Sequence, residues 1–92
     1  MEHEYSEALA TLIAKIDDLF TDEVGPVADF LCEEARDYWL EKLAIQSKKP
    51  SIASLHIYIG KLARSLEDDH VSRTRFTDRV FDIDSLQYLR GR

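Results

Sequence analysis

The chain of 92 residues has few of the residues that build loops, strands or disulfide frameworks. It contains one cysteine, Cys32, so an internal disulfide is excluded. Only three glycines and two prolines occur, which argues against a loop-rich or all-β fold. No apolar run approaches the roughly 20 residues of a membrane span. These absences favour a single helical domain over residues 1–92.

A basic leader is also lacking. The chain starts Met1-Glu2-His3-Glu4, which is acidic where a secretion signal would be basic. Together with the lone cysteine, this predicts a cytoplasmic protein in a reducing compartment.

Positive charge is scarce except near the end of the chain. The net charge is −6, and residues 1–70 hold 15 acidic but only 7 basic residues. Residues 71–92 hold three acidic residues and five arginines. The acidic body would repel nucleic acid and anionic membrane. The ordinary interpretation of the tail is a solvated, arginine-rich last helix. The tail could also dock on an acidic surface, including the body of a second copy, and a homodimer is the assembly that we expect.

Apolar residues recur at helical spacing through the chain. The pattern predicts a compact bundle of about four helices over residues 4–20, 26–47, 51–67 and 70–82, completed by dimerisation. Residues 21–25 are predicted as the first connection, with Gly25 as N-cap and Pro26 opening the second helix. Ser51 and Asp69 are the predicted N-caps of the third and fourth helices. Residues 84–92 are expected to form a short terminal turn or to fray.

The segment after His70 has a rival interpretation as a β-strand over residues 73–83. Val80 and Phe81 are adjacent apolar residues, so strand alternation is poor. The spacing of Phe76, Val80 and Ile83 favours a helix instead.

Some side chains are left over once each helix has been given a core-facing arc. In the second helix, that arc holds Val27, Leu31, Ala35, Tyr38, Trp39, Leu43 and Ile45. Phe30, Leu40 and Ile57 fall off the predicted arcs and are candidates for a second contact surface. Trp39 is a further candidate because tryptophan is enriched at binding hot spots. Arg75 and Arg79 share one helical face and complete the predicted partner-binding set.

Residues that could carry chemistry are few and scattered. Asp68, Asp69 and His70 form the only cluster that resembles metal ligands, but adjacent residues at a helix junction splay apart instead of converging. Cys32 has no histidine partner in the sequence, and no glycine-rich phosphate loop or catalytic triad is recognisable. We therefore expect no catalytic site, no cofactor and no metal, and the chain is predicted not to be an enzyme.

The order of motifs resembles a known family. Gly25-Pro26-Val27-Ala28 leads into an apolar helix, Leu55 and Leu62 follow, and Arg73-x-x-Phe76 closes the pattern over residues 19–76. This resembles a small helical module at the C-termini of bacterial signalling proteins such as serine/threonine kinases and response regulators. The resemblance implies a regulatory or assembly role and no catalytic residue.

The leading hypothesis is thus a small cytoplasmic protein-interaction or self-association module in bacterial signalling, with an unidentified protein partner. Nucleic-acid binding through Arg73, Arg75 and Arg79 is one alternative, although the neighbouring carboxylates of Asp78 and Asp82 disfavour it on charge grounds. An acidic inhibitor or immunity-type protein is the other, through carboxylates such as Glu33, Glu34 and Asp37. Membrane binding is not expected.

Overall fold

A computed structural model describes residues 6–83 and 86–87. Its α-helices are α1 (Glu7–Val24), α2 (Ala28–Ile45), α3 (Leu55–Arg64) and α4 (His70–Phe81), and a 3₁₀ turn (Gly25–Val27) joins α1 to α2. The described part of the chain contains no strand, so the all-helical prediction is confirmed. The segment over residues 73–83 is accordingly not a strand.

Two halves share one core. Helix α2 packs mainly on α3, and α1 packs on both α4 and α2. Trp39 of α2 meets Tyr58 of α3 with ring centroids 5.9 Å apart. Phe20 of α1 meets Phe76 of α4 edge-on, with centroids 5.3 Å apart. One aromatic pair thus joins α2 to α3, and the other joins α1 to α4.

The predicted connection over residues 21–25 is wrong in its first four residues, because α1 continues to Val24. Its end is fixed by Gly25, whose φ of 76° lies in a region that side-chain-bearing residues rarely adopt. The Gly25 N–H donates to the carbonyl of Thr21 and so closes α1 instead of capping the next helix. Pro26 is the second residue of the 3₁₀ turn, and α2 begins only at Ala28.

Helix α3 also begins later than predicted, at Leu55 instead of Ser51. The hydroxyl of Ser51 accepts a hydrogen bond from the Ser54 N–H, and the Ser54 hydroxyl accepts one from the Ser51 N–H. This reciprocal pair stabilises a tight turn over residues 51–54 ahead of the helix. The cap at α4 agrees with the sequence: Asp69 accepts from the Ser72 N–H at 3.1 Å, and the helix starts at His70.

Only part of the predicted terminal tail is among the residues that the structure describes. Leu86 is fully buried, and its N–H donates to the carbonyl of Ile83 at 2.8 Å. The other parts of the predicted tail, residues 84–85 and 88–92, lie outside the described residues, as do residues 1–5. No helix in the described part of the chain combines the length and apolarity needed to cross a membrane.

Candidate interaction surfaces

Helix α2 turns a different side to the core than its periodicity predicts. Its buried residues are Ala28, Cys32, Ala35, Trp39 and Leu43. At about 100° per residue, this set is centred about 60° away from the predicted arc. The three small residues let α1 approach closely, and Trp39 fills the space toward α3. Because the core uses only one side of a broad apolar arc, the other side remains at the surface.

That remaining side forms an apolar strip, defined here as Val27, Phe30, Leu31, Tyr38 and Ile45. Ile45 is 73% exposed, Phe30 64% and Val27 49%, whereas Leu31 and Tyr38 are half-buried. Val27, Tyr38 and Ile45 lie within about 20° of one another around the helix axis. Isolated exposed apolar residues are ordinary, but several aligned along one helix indicate a contact surface.

The four apolar residues that the sequence predicts for partner binding differ in their exposure in the structure. Phe30 is exposed, as a contact residue must be. Trp39 is 0% exposed, and its indole N–H donates to the Ser54 hydroxyl at 3.1 Å, so its assignment to a partner surface is wrong. Leu40 and Ile57 are half-buried and pack against the core, which leaves only part of each available.

Carboxylates flank the apolar strip. An acidic face, defined as the exposed residues Asp29, Glu33, Glu34, Asp37 and Glu41, covers the side of α2 away from the core. None of these five forms an ion pair with another described residue. Their charges are therefore directed entirely to solvent or to a partner.

Basic side chains gather on the opposite side of the strip, between α2 and α3. Two adjoining depressions there share His56 and Ile57, and no carboxylate lines either of them among the described residues. We call this the basic groove and define it by Lys48, Lys49, His56, Lys61 and Arg64. The net charge of residues 1–70 conceals this groove, because the sum averages its cations with the carboxylates elsewhere. The groove is nevertheless indicated by the segment over residues 42–66, which contains five basic and no acidic residues.

Tyr38 joins the strip to the groove. The Lys61 ammonium lies 5.0 Å and the Lys42 ammonium 5.4 Å from the centroid of its ring. Both distances are within the range of a cation–π contact. The acidic face and the basic groove thus adjoin along α2, with Tyr38 at the boundary.

The two predicted arginines are already engaged within the chain. Arg75 of α4 holds Glu23 of α1 through Nε to Oε2 at 2.8 Å and Nη2 to Oε1 at 2.7 Å. Arg79 contacts Asp22 at 3.3 Å and Glu23 at 3.8 Å. These contacts fasten α4 to the end of α1. They weaken the case for nucleic-acid binding, because phosphate contacts would have to compete with a bidentate carboxylate.

The Glu23 side chain is only 2% exposed, so its charge depends on these arginines. Hydrogen bonds from Arg75 lower the pKa of Glu23 below its ordinary value, against the opposing effect of burial. A carboxyl group whose pKa is lowered by folding stabilises the fold above its ordinary pKa. That contribution is lost as the pH falls through the lowered pKa.

We therefore expect acid to destabilise the wild-type chain more than a Glu23→Gln variant. Between pH 5 and pH 3, the variant should lose less stability than the wild type, because it has no carboxylate at this position to protonate. Urea unfolding followed by circular dichroism at pH 7, 5 and 3 measures this. Glu33→Gln, on the acidic face, is the matched control and should follow the wild type. Parallel pH profiles for Glu23→Gln and wild type would show that the pair has no such role.

A polar cluster crosses the core between α1, α2 and α3. The Tyr58 hydroxyl donates to Asp17 Oδ1, and Arg36 Nη1 donates to Asp17 Oδ2 at 3.0 Å. Burial, followed by the charge of Asp17, raises the pKa of Tyr58. Burial also raises the pKa of Cys32, to about 12, so its thiol stays protonated and poorly nucleophilic at neutral pH. The cluster ties three helices together.

The described residues offer no arrangement of three or more His, Cys, Asp or Glu side chains that could hold a metal ion. Asp69, the predicted N-cap, caps α4. Its carboxylate accepts from both the N–H and the hydroxyl of Ser72.

No known protein family, curated protein or solved structure matches the chain. The resemblance to a module of bacterial signalling proteins therefore stays a prediction, and the surfaces described above carry the functional argument.

Proposed function

We propose that the chain is a cytoplasmic protein-interaction module that docks through the apolar strip of α2. The observation that carries this proposal is the exposure of Val27, Phe30 and Ile45 on the side of α2 that faces away from the packed core. The general driving force for such docking is the removal of apolar surface from water, which contributes about 25 cal/mol per Å² buried. The carboxylates of the acidic face supply the polar rim that protein interfaces have around an apolar centre.

A regulatory role in bacterial signalling is the biological setting that we propose for this docking. It is supported by the resemblance of residues 19–76 to a helical module of signalling proteins. The acidic-inhibitor alternative draws on the same acidic face, but it does not account for the apolar strip beside it. An interaction module uses both features.

Replacing Phe30 by glutamate is expected to abolish docking without disturbing the fold, because the ring is 64% exposed. Stability should stay within about 0.5 kcal/mol of wild type, as for most surface substitutions. Affinity purification with quantitative mass spectrometry, combined with sedimentation over a concentration range, measures the loss. We expect every specific association of the wild-type chain to fall at least tenfold, since an interfacial anchor contributes about 2 kcal/mol or more.

Val71→Glu is the matched control, because Val71 is 66% exposed but lies on α4, away from the strip. Its associations should equal those of the wild type. Equal retention of all partners and of self-association by Phe30→Glu and Val71→Glu would overturn the proposal.

A further inference from the structure

On the α2–α3 side of the molecule, the charges that form no internal ion pair among the described residues are sorted by sign. The carboxylates of Asp17, Asp22 and Glu23 are taken by arginines of α2 and α4. On the acidic face, five carboxylates have no counter-ion among the described residues. In the basic groove, Lys48, Lys49 and Arg64 likewise form no ion pair within the described part of the chain. One side of the molecule therefore presents an unpaired acidic area and an unpaired basic area next to each other.

The boundary between the two areas is apolar. Tyr38 lies between them, with Ile57 on the groove side and Ile45 two turns further along α2. Helix α2 is 18 residues long, or about 27 Å, so the surface extends along most of one side of a chain whose longest dimension is 34 Å. A surface with an apolar centre and opposite charges on its two sides can be complementary to a second copy of itself. Rotation by 180° about an axis through Tyr38 exchanges the acidic side with the basic side.

From this arrangement we propose that the occupant of the surface is a second copy of the same chain. A two-fold axis near Tyr38 places the acidic face of one protomer against the basic groove of its partner, and the same contact occurs twice. Such isologous interfaces are the commonest kind in soluble homo-oligomers. The apolar strips of the two protomers meet at the centre, and the charge pairs fix their orientation around it. This inference rests on the proposed function and names its partner.

Charge reversal tests the pairing directly. The first variant, Glu34→Lys/Glu41→Lys, makes the acidic face basic, and the second variant, Lys49→Glu/Arg64→Glu, makes the basic groove acidic. All four side chains are exposed, so both variants should fold like the wild type. Each variant alone brings like charges together at both symmetric contacts. We expect its dimer dissociation constant, measured by sedimentation equilibrium, to rise at least tenfold.

Mixing the two variants restores opposite charges at both contacts. We expect the mixture to form a heterodimer with a dissociation constant within about threefold of the wild-type homodimer, since the same number of favourable pairs forms. Asp18→Lys is the matched control, because Asp18 is exposed on α1 beside α4, away from α2 and α3. It should dimerise like the wild type.

Three outcomes would overturn the inference: a wild-type chain that is monomeric at all concentrations, single variants that dimerise normally, or a mixture that stays monomeric. The proposed function fails separately. It fails when Phe30→Glu keeps every association of the wild type, whatever the oligomeric state. A monomeric chain with a Phe30-dependent foreign partner would therefore refute the second copy and leave the interaction module standing.

Discussion

Replacement of Trp39 by alanine is expected to lower the free energy of unfolding by about 3–5 kcal/mol. The indole is 0% exposed and lies against Tyr58, and its N–H donates to the Ser54 hydroxyl. Truncation leaves a cavity where α2 and α3 meet, and it removes a hydrogen bond that holds the turn ahead of α3. Domains of this size are stabilised by about 5–15 kcal/mol, so the loss takes a large part of the total.

Urea unfolding followed by far-UV circular dichroism measures this loss as a shift of the midpoint at an unchanged slope. Trp39→Phe is a graded comparison, because it keeps most of the packing and loses the hydrogen bond. Phe30→Ala is the surface control and should stay within about 0.5 kcal/mol of wild type. A Trp39→Ala midpoint equal to that of wild type would mean that Trp39 does not fill the α2–α3 core.

Trp39 also shows why part of the candidate site could not be predicted. Periodicity correctly gives an all-helical chain, and Asp69 correctly marks the start of α4. Helix α2, however, has apolar residues around more than half of its circumference, so several orientations are compatible with its pattern. The choice among them depends on shape: a large indole needs the space beside Ser54, and Ala28, Cys32 and Ala35 allow close approach to α1. Neither requirement is visible in the spacing alone.

Contacts between distant residues were equally inaccessible from the sequence. Arg75 and Glu23 are 52 residues apart, and Arg79 and Asp22 are 57 residues apart. The sequence shows acidic and basic segments that could pair within one chain or between two. In the structure, both of these arginine–carboxylate pairs form within one chain. Phe30 was predictable because its position is off the core arc in every plausible orientation of α2.

The internal pairing changes what the charge distribution implies. The sequence predicts that the arginines after residue 70 face a partner. In the structure Arg75 and Arg79 hold α1, whereas Lys48, Lys49 and Arg64 in the basic groove form no ion pair with a described residue. The proposed dimer thus keeps the expectation of acidic-to-basic contact between copies but assigns the basic side to the α2–α3 groove.

The second substitution with a large expected effect is Phe76→Ala, on the other half of the core. Phe76 and Phe20 are both 0% exposed and meet edge-on, with an interplanar angle of 69°. Loss of the ring removes buried area and an aromatic pair, for an expected cost of about 3–5 kcal/mol. Helix α4 should be destabilised more than the other helices, since Phe76 and Val80 are the large side chains that it buries.

Hydrogen exchange distinguishes local destabilisation of α4 from uniform destabilisation of the whole core. In Phe76→Ala, the amides of α4 and of the last turn of α1 should lose protection more than those of α2 and α3. Val71→Ala, on the exposed side of the same helix, is the control and should leave the exchange pattern unchanged. Equal loss of protection in all four helices would show that the core opens as one unit. Selective loss in α4 would show instead that the α2–α3 half, which carries the apolar strip and the basic groove, keeps its structure when the α1–α4 contact is weakened.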